Sequence, residues 1–323
     1  MVASLRVGSR GSALALAQTT QIAAELSKAS GLDVELVTVT THGDTSNASL
    51  ANLGGTGVFA TALREALARG EVDVIVHSLK DLPTAQYPGA ALAAVPRRAD
   101  ARDVLAARDG LTLAGLPAGA RVGTGSPRRS AQLRAVRPDL NVLDIRGNVD
   151  SRLGRVAAGE LDAVILAAAG LDRLGRAEVV TDRFDLGDWP TAPGQGALAL
   201  EVRSDNASAA LAAALAAVDH ATTRAVVAAE RAVLAGLEAG CAAPIAASAL
   251  VDGGMLFLTA TVFALDGSAT LTSSHAAVLD SNAPRDLLAA AAEVAERAVA
   301  ELLDGGAADL VPLGGGAEPG RTP

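Results

Sequence analysis

At 323 residues, half of them hydrophobic, the chain can bury two or three domain cores, and its formal charge of −9 makes it acidic overall. One Trp, one Tyr and four Phe argue against a base-stacking platform for single-stranded nucleic acid, the net charge agrees, and no nucleic-acid partner is expected. A single cysteine excludes an internal disulfide or thiolate metal cluster, four histidines without ligand spacing predict no metal, and apolar runs broken by Arg, Asp or Gly predict no membrane span.

Met1 runs into an apolar strand at 5–8 without a basic region and apolar core, so no secretory signal is read and the cytoplasm is the expected location. A helix at 13–28, a strand at 34–40, a helix at 58–69 and a strand at 72–77 follow, a βαβαβ order that predicts a parallel sheet. A second such unit comprises strand 121–123, helix 127–136, strand 140–145, helix 149–158 and strand 163–168. Ser126 is its N-cap candidate, with Pro127 at the first helical position. The two halves join near 96–103. An apolar strand at 197–202 is expected to return to the first sheet. Helices at 207–218 and 222–237 precede three strands, 245–251, 256–264 and 269–278, with turn signals between them and a closing helix at 284–303. From Gly305 the chain is rich in Gly and Pro and is expected to be loose.

Charge is unevenly distributed. Between Arg97 and Arg183 there are 15 arginines and 11 acids, whereas the remainder has 12 bases and 25 acids. Guanidinium pairs with carboxylate or phosphate through two prongs, so this lysine-free stretch points to recognition of discrete anions. Genome-wide preference for Arg accounts for the total but not for the clustering.

Polar residues gather where strands end. Ser9, Arg10, Gly11 and Ser12 join the first strand to a helix, and Gly123, Thr124, Gly125, Ser126, Pro127, Arg128 and Arg129 do the same in the second half. Backbone N–H groups at a helix start, joined by hydroxyls and guanidinium, make an anion site, although either loop alone reads better as a satisfied helix cap. Arg146, Gly147, Asn148 and Arg152 follow the next strand. All are expected to line one cleft between the halves, at the carboxyl ends of the strands. Neither loop has a Walker or dinucleotide pattern. Lys80, one of only two lysines, stands beside Asp81 after strand 72–77, placing a cation and a carboxylate at the same cleft; a solvated surface pair is the alternative. Cys241 lies in a Gly and Pro loop past a long helix, which argues for access. A free cysteine is more often an inert buried thiol; at a helix carboxyl end its thiolate is not stabilised, so if accessible it suits one attack on a reactive electrophile.

The segments 10–18, 77–83, 123–129, 146–152, 168–175, 193–197 and 237–244 together resemble the porphobilinogen deaminase (hydroxymethylbilane synthase) family, in order and over nearly all of residues 4–300. The resemblance implies two α/β domains like the halves of a type II periplasmic binding protein plus a small α+β domain. The bounds expected are 1–97 with 197–218 for the first, 102–192 for the second, 220–305 for the third, and 306–323 for the loose tail. It implies a transferase, a monomer, that joins four porphobilinogen molecules head to tail, with loss of ammonia, on a dipyrromethane primer held by a thioether to Cys241. Asp81, Lys80 and Arg10 are the implied catalytic residues. Ser12, Ser78, Lys80, Asp81, Thr124, Ser126, Arg128, Arg129, Arg146 and Gly147 are implied around the cofactor. Arg10, Ser12, Gln18, Arg146, Arg152, Arg173 and Gln195 are implied for substrate, and Asp44 and Arg98 also match. Two departures stand out. The loop 50–59 carries Asn52 and Thr56 where relatives often have lysines, so a lid there would lack their charge. Gly125 and Pro127 fall where the family varies, so the resemblance attaches little to them. The rival from another class is a non-catalytic anion binder of the periplasmic type, since layout alone does not separate the two.

Overall fold

The computed structural model describes residues 4–40, 58–206, 208–240, 243–311 and 313. Cys241, Asp44, Asn52 and Thr56 lie outside them.

In chain order, β1 (Leu5–Ser9), α1 (Ala13–Ser30), β2 (Val34–Thr38), α2 (Val58–Ala68), β3 (Val74–Ser78) and β4 (Ala90–Ala94) come first. Next are β5 (Asp103–Ala107), β6 (Arg121–Thr124), α3 (Pro127–Val136), β7 (Asn141–Asp144), α4 (Val149–Ala157), β8 (Ala163–Ala167), α5 (Ala168–Arg173) and β9 (Asp182–Arg183). The chain ends with β10 (Leu198–Arg203), α6 (Ala209–Val218), α7 (Ala221–Gly236), β11 (Ile245–Asp252), β12 (Met255–Phe263), β13 (Thr270–Val278), α8 (Pro284–Asp304) and α9 (Ala307–Leu310).

Two five-stranded sheets with equivalent order result, β2-β1-β3-β10-β4 and β7-β6-β8-β5-β9. Each defines one lobe. In both lobes the first three strands are parallel and the fourth runs against them, so the expected all-parallel sheets are corrected to mixed ones. The strand expected at 197–202 does return to the first sheet, as β10, antiparallel between β3 and β4. Strands β4, β5 and β9 were absent from the sequence reading. Ala90–Ala94 is nearly all alanine, β5 opens on an aspartate and β9 is two residues long, so none carries a run of β-branched residues.

The third domain stacks α7 and α8 on one face of the antiparallel sheet β11-β12-β13. Val233, Leu237, Leu256, Leu258, Val294 and Leu302 fill the space between, each buried. Every such side chain contributes about 1.5–3 kcal/mol relative to an exposed one. The start of the supposed loose tail belongs to this core. Helix α9 begins at Ala307, which is buried together with Val311, so the expectation of a loose chain from 306 is corrected through residue 311.

Buried ion pairs tie the pieces together. In the first lobe Glu201 of β10 accepts from Arg64 of α2 at 2.7 and 2.8 Å. Burial opposes ionisation of Glu201, but Arg64 and nearby His77 outweigh it and hold the carboxyl down at about 2. At the meeting point of all three domains, fully buried Glu230 of α7 accepts from Arg98 at 2.6 and 3.0 Å, from the Gly194 N–H at 2.7 Å and from the Ala249 N–H at 2.9 Å. Four donors on one carboxylate make the charge tolerable there. Arg98 therefore serves the domain junction.

Candidate active site

Polar side chains converge where the two sheets face each other at their strand ends. In the first lobe, β1 leads through Ser9–Ser12 into α1, with half-buried Arg10 in the connection and Ser12 Oγ capping the helix by accepting from the Ala15 N–H at 3.3 Å. In the second lobe, β6 leads through Gly125 and Ser126 into α3, where Ser126 Oγ accepts from the Arg129 N–H at 3.4 Å. Buried Thr124 accepts the Ser126 N–H at 3.2 Å. Both serines thus spend an oxygen lone pair on a cap, the alternative weighed from sequence. Gly125, to which the resemblance attaches little, has a steric role. A Cβ there would sit 2.5 Å from the Ile145 carbonyl oxygen, so only glycine lets the two loops approach. Gly147 adopts φ +109°, a conformation costly for other residues, and Asn148 next to it caps α4.

The turn after β3 carries the acid. Leu79–Asp81 form one turn of 3-10 helix, Leu79 pointing into the core, Lys80 half-buried and Asp81 exposed. Lys80 Nζ donates to Gln195 Oε1 at 3.3 Å, and Arg129 Nη2 donates to the same oxygen at 3.3 Å. One amide thereby joins a cation from each lobe. Burial, then repulsion from Arg129, pushes Lys80 down to about 8, against the pull of Asp81 and Asp103. Gln18 donates to Ser78 Oγ at 2.9 Å, and both face a pocket shared with Lys80, Gly170, Arg173 and Gly196. Arg173 crosses from the second lobe to donate to the Gly196 carbonyl at 2.9 Å. Asp81 makes no ion pair among the described residues.

Arg128 and Arg129 are organised by a residue that sequence reasoning missed. Asp103, fully buried at the head of β5, accepts from Arg128 at 2.9 Å, Arg129 at 2.6 Å, Gln195 at 2.8 Å and the Trp189 indole N–H at 3.0 Å. Burial disfavours its charge, yet the two guanidinium groups hold the carboxyl well below the usual carboxylate range. Arg128 also donates to Gln132 at 2.6 Å and to the Pro190 carbonyl at 3.1 Å. It is therefore turned inward, with both Nη atoms engaged. Nothing local marks Asp103, because its partners lie at least 25 residues away in sequence.

A second group of cations stands beside this one. Arg152 donates Nε to the Gly147 carbonyl at 2.9 Å and Arg146 reaches Asp144 at 3.3 Å. Burial first, then repulsion from Arg129 and Arg146, lowers Arg152 below its usual value, and burial does the same for Arg173. The Nε atoms of Arg128, Arg129, Arg146 and Arg173 are buried without a hydrogen-bond partner among the described residues. Unspent buried N–H groups on crowded cations need acceptors.

A two-lobed α/β frame with a guanidinium-lined cleft, and at its edge a carboxylate without an ion pair among the described residues, has the make-up of an anion-binding α/β protein. Family models described as "Porphobilinogen deaminase, dipyromethane cofactor binding domain" and "Porphobilinogen deaminase, C-terminal domain" match residues 5–210 and 225–293. A porphobilinogen deaminase of Leifsonia xyli subsp. xyli is 67% identical over 314 residues, covering 97% of this chain and 95% of the relative. That of Cutibacterium acnes is 52% identical over 329 residues, covering 97% and 98%. Among solved structures, the methionine binding protein MetQ aligns with a TM-score of 0.43 at 14% identity over 66% of this chain and 89% of its own. The chain belongs to the porphobilinogen deaminase family, and its cofactor is dipyrromethane.

Proposed function

We propose that Asp81 stabilises the cation formed from porphobilinogen, and that Cys241 holds the dipyrromethane through a thioether. The chain is a transferase of tetrapyrrole biosynthesis, joining four porphobilinogen molecules head to tail with release of ammonia to give hydroxymethylbilane. Loss of ammonia leaves the aminomethyl carbon of the substrate as part of a cation delocalised over its pyrrole ring. A fixed carboxylate beside that ring stabilises the developing charge and accepts a hydrogen bond from the pyrrole N–H. The observation that carries this role is that Asp81 is exposed, beside Lys80, and paired with no base among the described residues.

The donor set suits the cofactor, whose pyrroles carry acetate and propionate. When bound, it supplies a nucleophilic pyrrole α-carbon as the primer for elongation. Arg129, Arg146 and Arg173 are read as meeting such carboxylates, with Arg128, turned inward onto Asp103, Gln132 and Pro190, backing them. Arg152, Arg10, Ser12, Ser78, Thr124, Ser126 and Gly147 complete the binding wall. Lys80, bonded to Gln195, adds an ammonium whose charge depends on pH. Gln18 holds Ser78 in place. The protein is read as a monomer of the cytoplasm, acting without metal, membrane or nucleic acid; light scattering and cell fractionation test the first two points.

Replacing Cys241 by serine tests the anchor. The purified parent should colour with Ehrlich's reagent and exceed its sequence mass by a dipyrromethane, whereas Cys241→Ser should do neither. A normally loaded Cys241→Ser protein would exclude this sulfur. A colourless parent of bare mass, still colourless after incubation with porphobilinogen, would favour the anion binder.

A further inference from the structure

We infer that Arg231, on helix α7 of the third domain, is a positioning residue for the reaction: it fixes the turn that presents Lys80 and Asp81. The inference rests on the reading of Asp81 given above. Arg231 Nη1 donates to the carbonyls of Leu79 at 3.2 Å and Leu82 at 2.8 Å, and Nη2 donates to that of Pro83 at 2.7 Å. At the end of this 3-10 turn the Leu82 N–H donates to the Leu79 carbonyl at 3.1 Å. The carbonyls beyond it need outside donors. One planar fork supplies three bonds to the segment flanking Asp81, a geometry an ammonium cannot reproduce.

Apolar packing from the same helix acts in the same direction. Leu79 and Leu82 are buried in a cluster with Val226 and Val227 of α7 and with Ala197 and Ala199. The Asp81 side chain itself is exposed. Its aim is therefore set by its backbone, and the backbone is held from beneath by the third domain. Helix α7 also carries Glu230, which anchors the interdomain junction next to Gln195. The domain whose loop contains Cys241 thus also sets where the acid of the first lobe stands.

Arg231→Lys keeps the charge but removes the fork. A displacement near 1 Å at a reacting group costs on the order of 100-fold in rate. The variant is expected to load its cofactor and unfold near the parental midpoint while kcat falls about 10- to 100-fold and KM stays within about twofold. Arg231→Ala should recover part of its kcat in added guanidinium chloride and none in sodium chloride of equal strength. In an Asp81→Asn background, Arg231→Lys should cost little more, because the group it positions is already gone. Parental kcat in Arg231→Lys, additive losses in the double variant, or failure of both Arg231 variants to give folded, loaded protein would each overturn the inference. Asp81→Asn alone separates this from the underlying reading: if that variant turns over normally, the assignment of Asp81 is at fault and not the tether.

Discussion

The two lobes share one sheet order and use its equivalent strand ends for opposite purposes. After β3 the first lobe places Lys80 and exposed Asp81; after β8, its counterpart, the second lobe places α5 and Arg173. After β1 comes a single arginine, Arg10, whereas after β6 come Arg128 and Arg129. The second wall is thus richer in guanidinium groups, while the first adds an exposed carboxylate. The walls do not quench each other, because the second wall meets part of its own charge internally. Asp103 accepts from both Arg128 and Arg129, while Asp81 has no such partner among the described residues. Matched topology with mismatched charge is what the proposed reaction requires: one wall for a polyanion and, under the role proposed for Asp81, a carboxylate for a transient carbocation.

The largest test of this contrast removes the acid. Asp81→Ala should keep its circular dichroism spectrum while product formation falls by at least about 100-fold, the scale of losing a preorganised charge at a reacting centre; retained turnover would reject Asp81 as the cation stabiliser. Next comes the internal compensation of the second wall. Asp103→Asn keeps the shape but leaves two buried guanidinium groups uncompensated, and should cost about 3–5 kcal/mol in urea unfolding. A change below 1 kcal/mol would mean that these arginines are neutralised elsewhere.

Lys80 sits between the walls, and pH probes it. Its ammonium, held near 8 by burial, is present below that pH and lost above it. The kcat/KM profile should therefore fall on the alkaline side through about 8. Arg stays protonated across this range, so Lys80→Arg should remove that limb; an unchanged limb would assign it to another group. The smallest effect belongs to Trp189→Phe, which deletes one of the four donors to Asp103 and should cost about 1 kcal/mol by the same unfolding assay.

Much of this contrast was readable in the sequence. The alternation of strands and helices, Pro127–Val136 to the residue, the return of β10 and the loops carrying Arg10, Ser126 and Arg146 all follow from local pattern and cap chemistry. What escaped depends on partners far along the chain. Asp103 at the head of a strand looks like a surface residue until Arg128, Arg129, Gln195 and Trp189 surround it. Its strand, Asp103–Ala107, gains its identity by pairing with β8 and not from β propensity. Arg98 matched the family motif, yet its fork goes to Glu230 at the junction of the domains, a distinction that no local spacing encodes. The tail misled because composition said Gly and Pro while Ala307 and Val311 found space in a core.

Trp189 is the only tryptophan in the chain, and its indole is bonded to the carboxylate that steadies the arginine pair. Light absorbed at the red edge of the protein band therefore excites one place alone, immediately behind the cleft wall. Emission from that single indole is the expected label-free reporter of primer assembly, and a signal unchanged by loading would show that the cleft wall behind it does not respond.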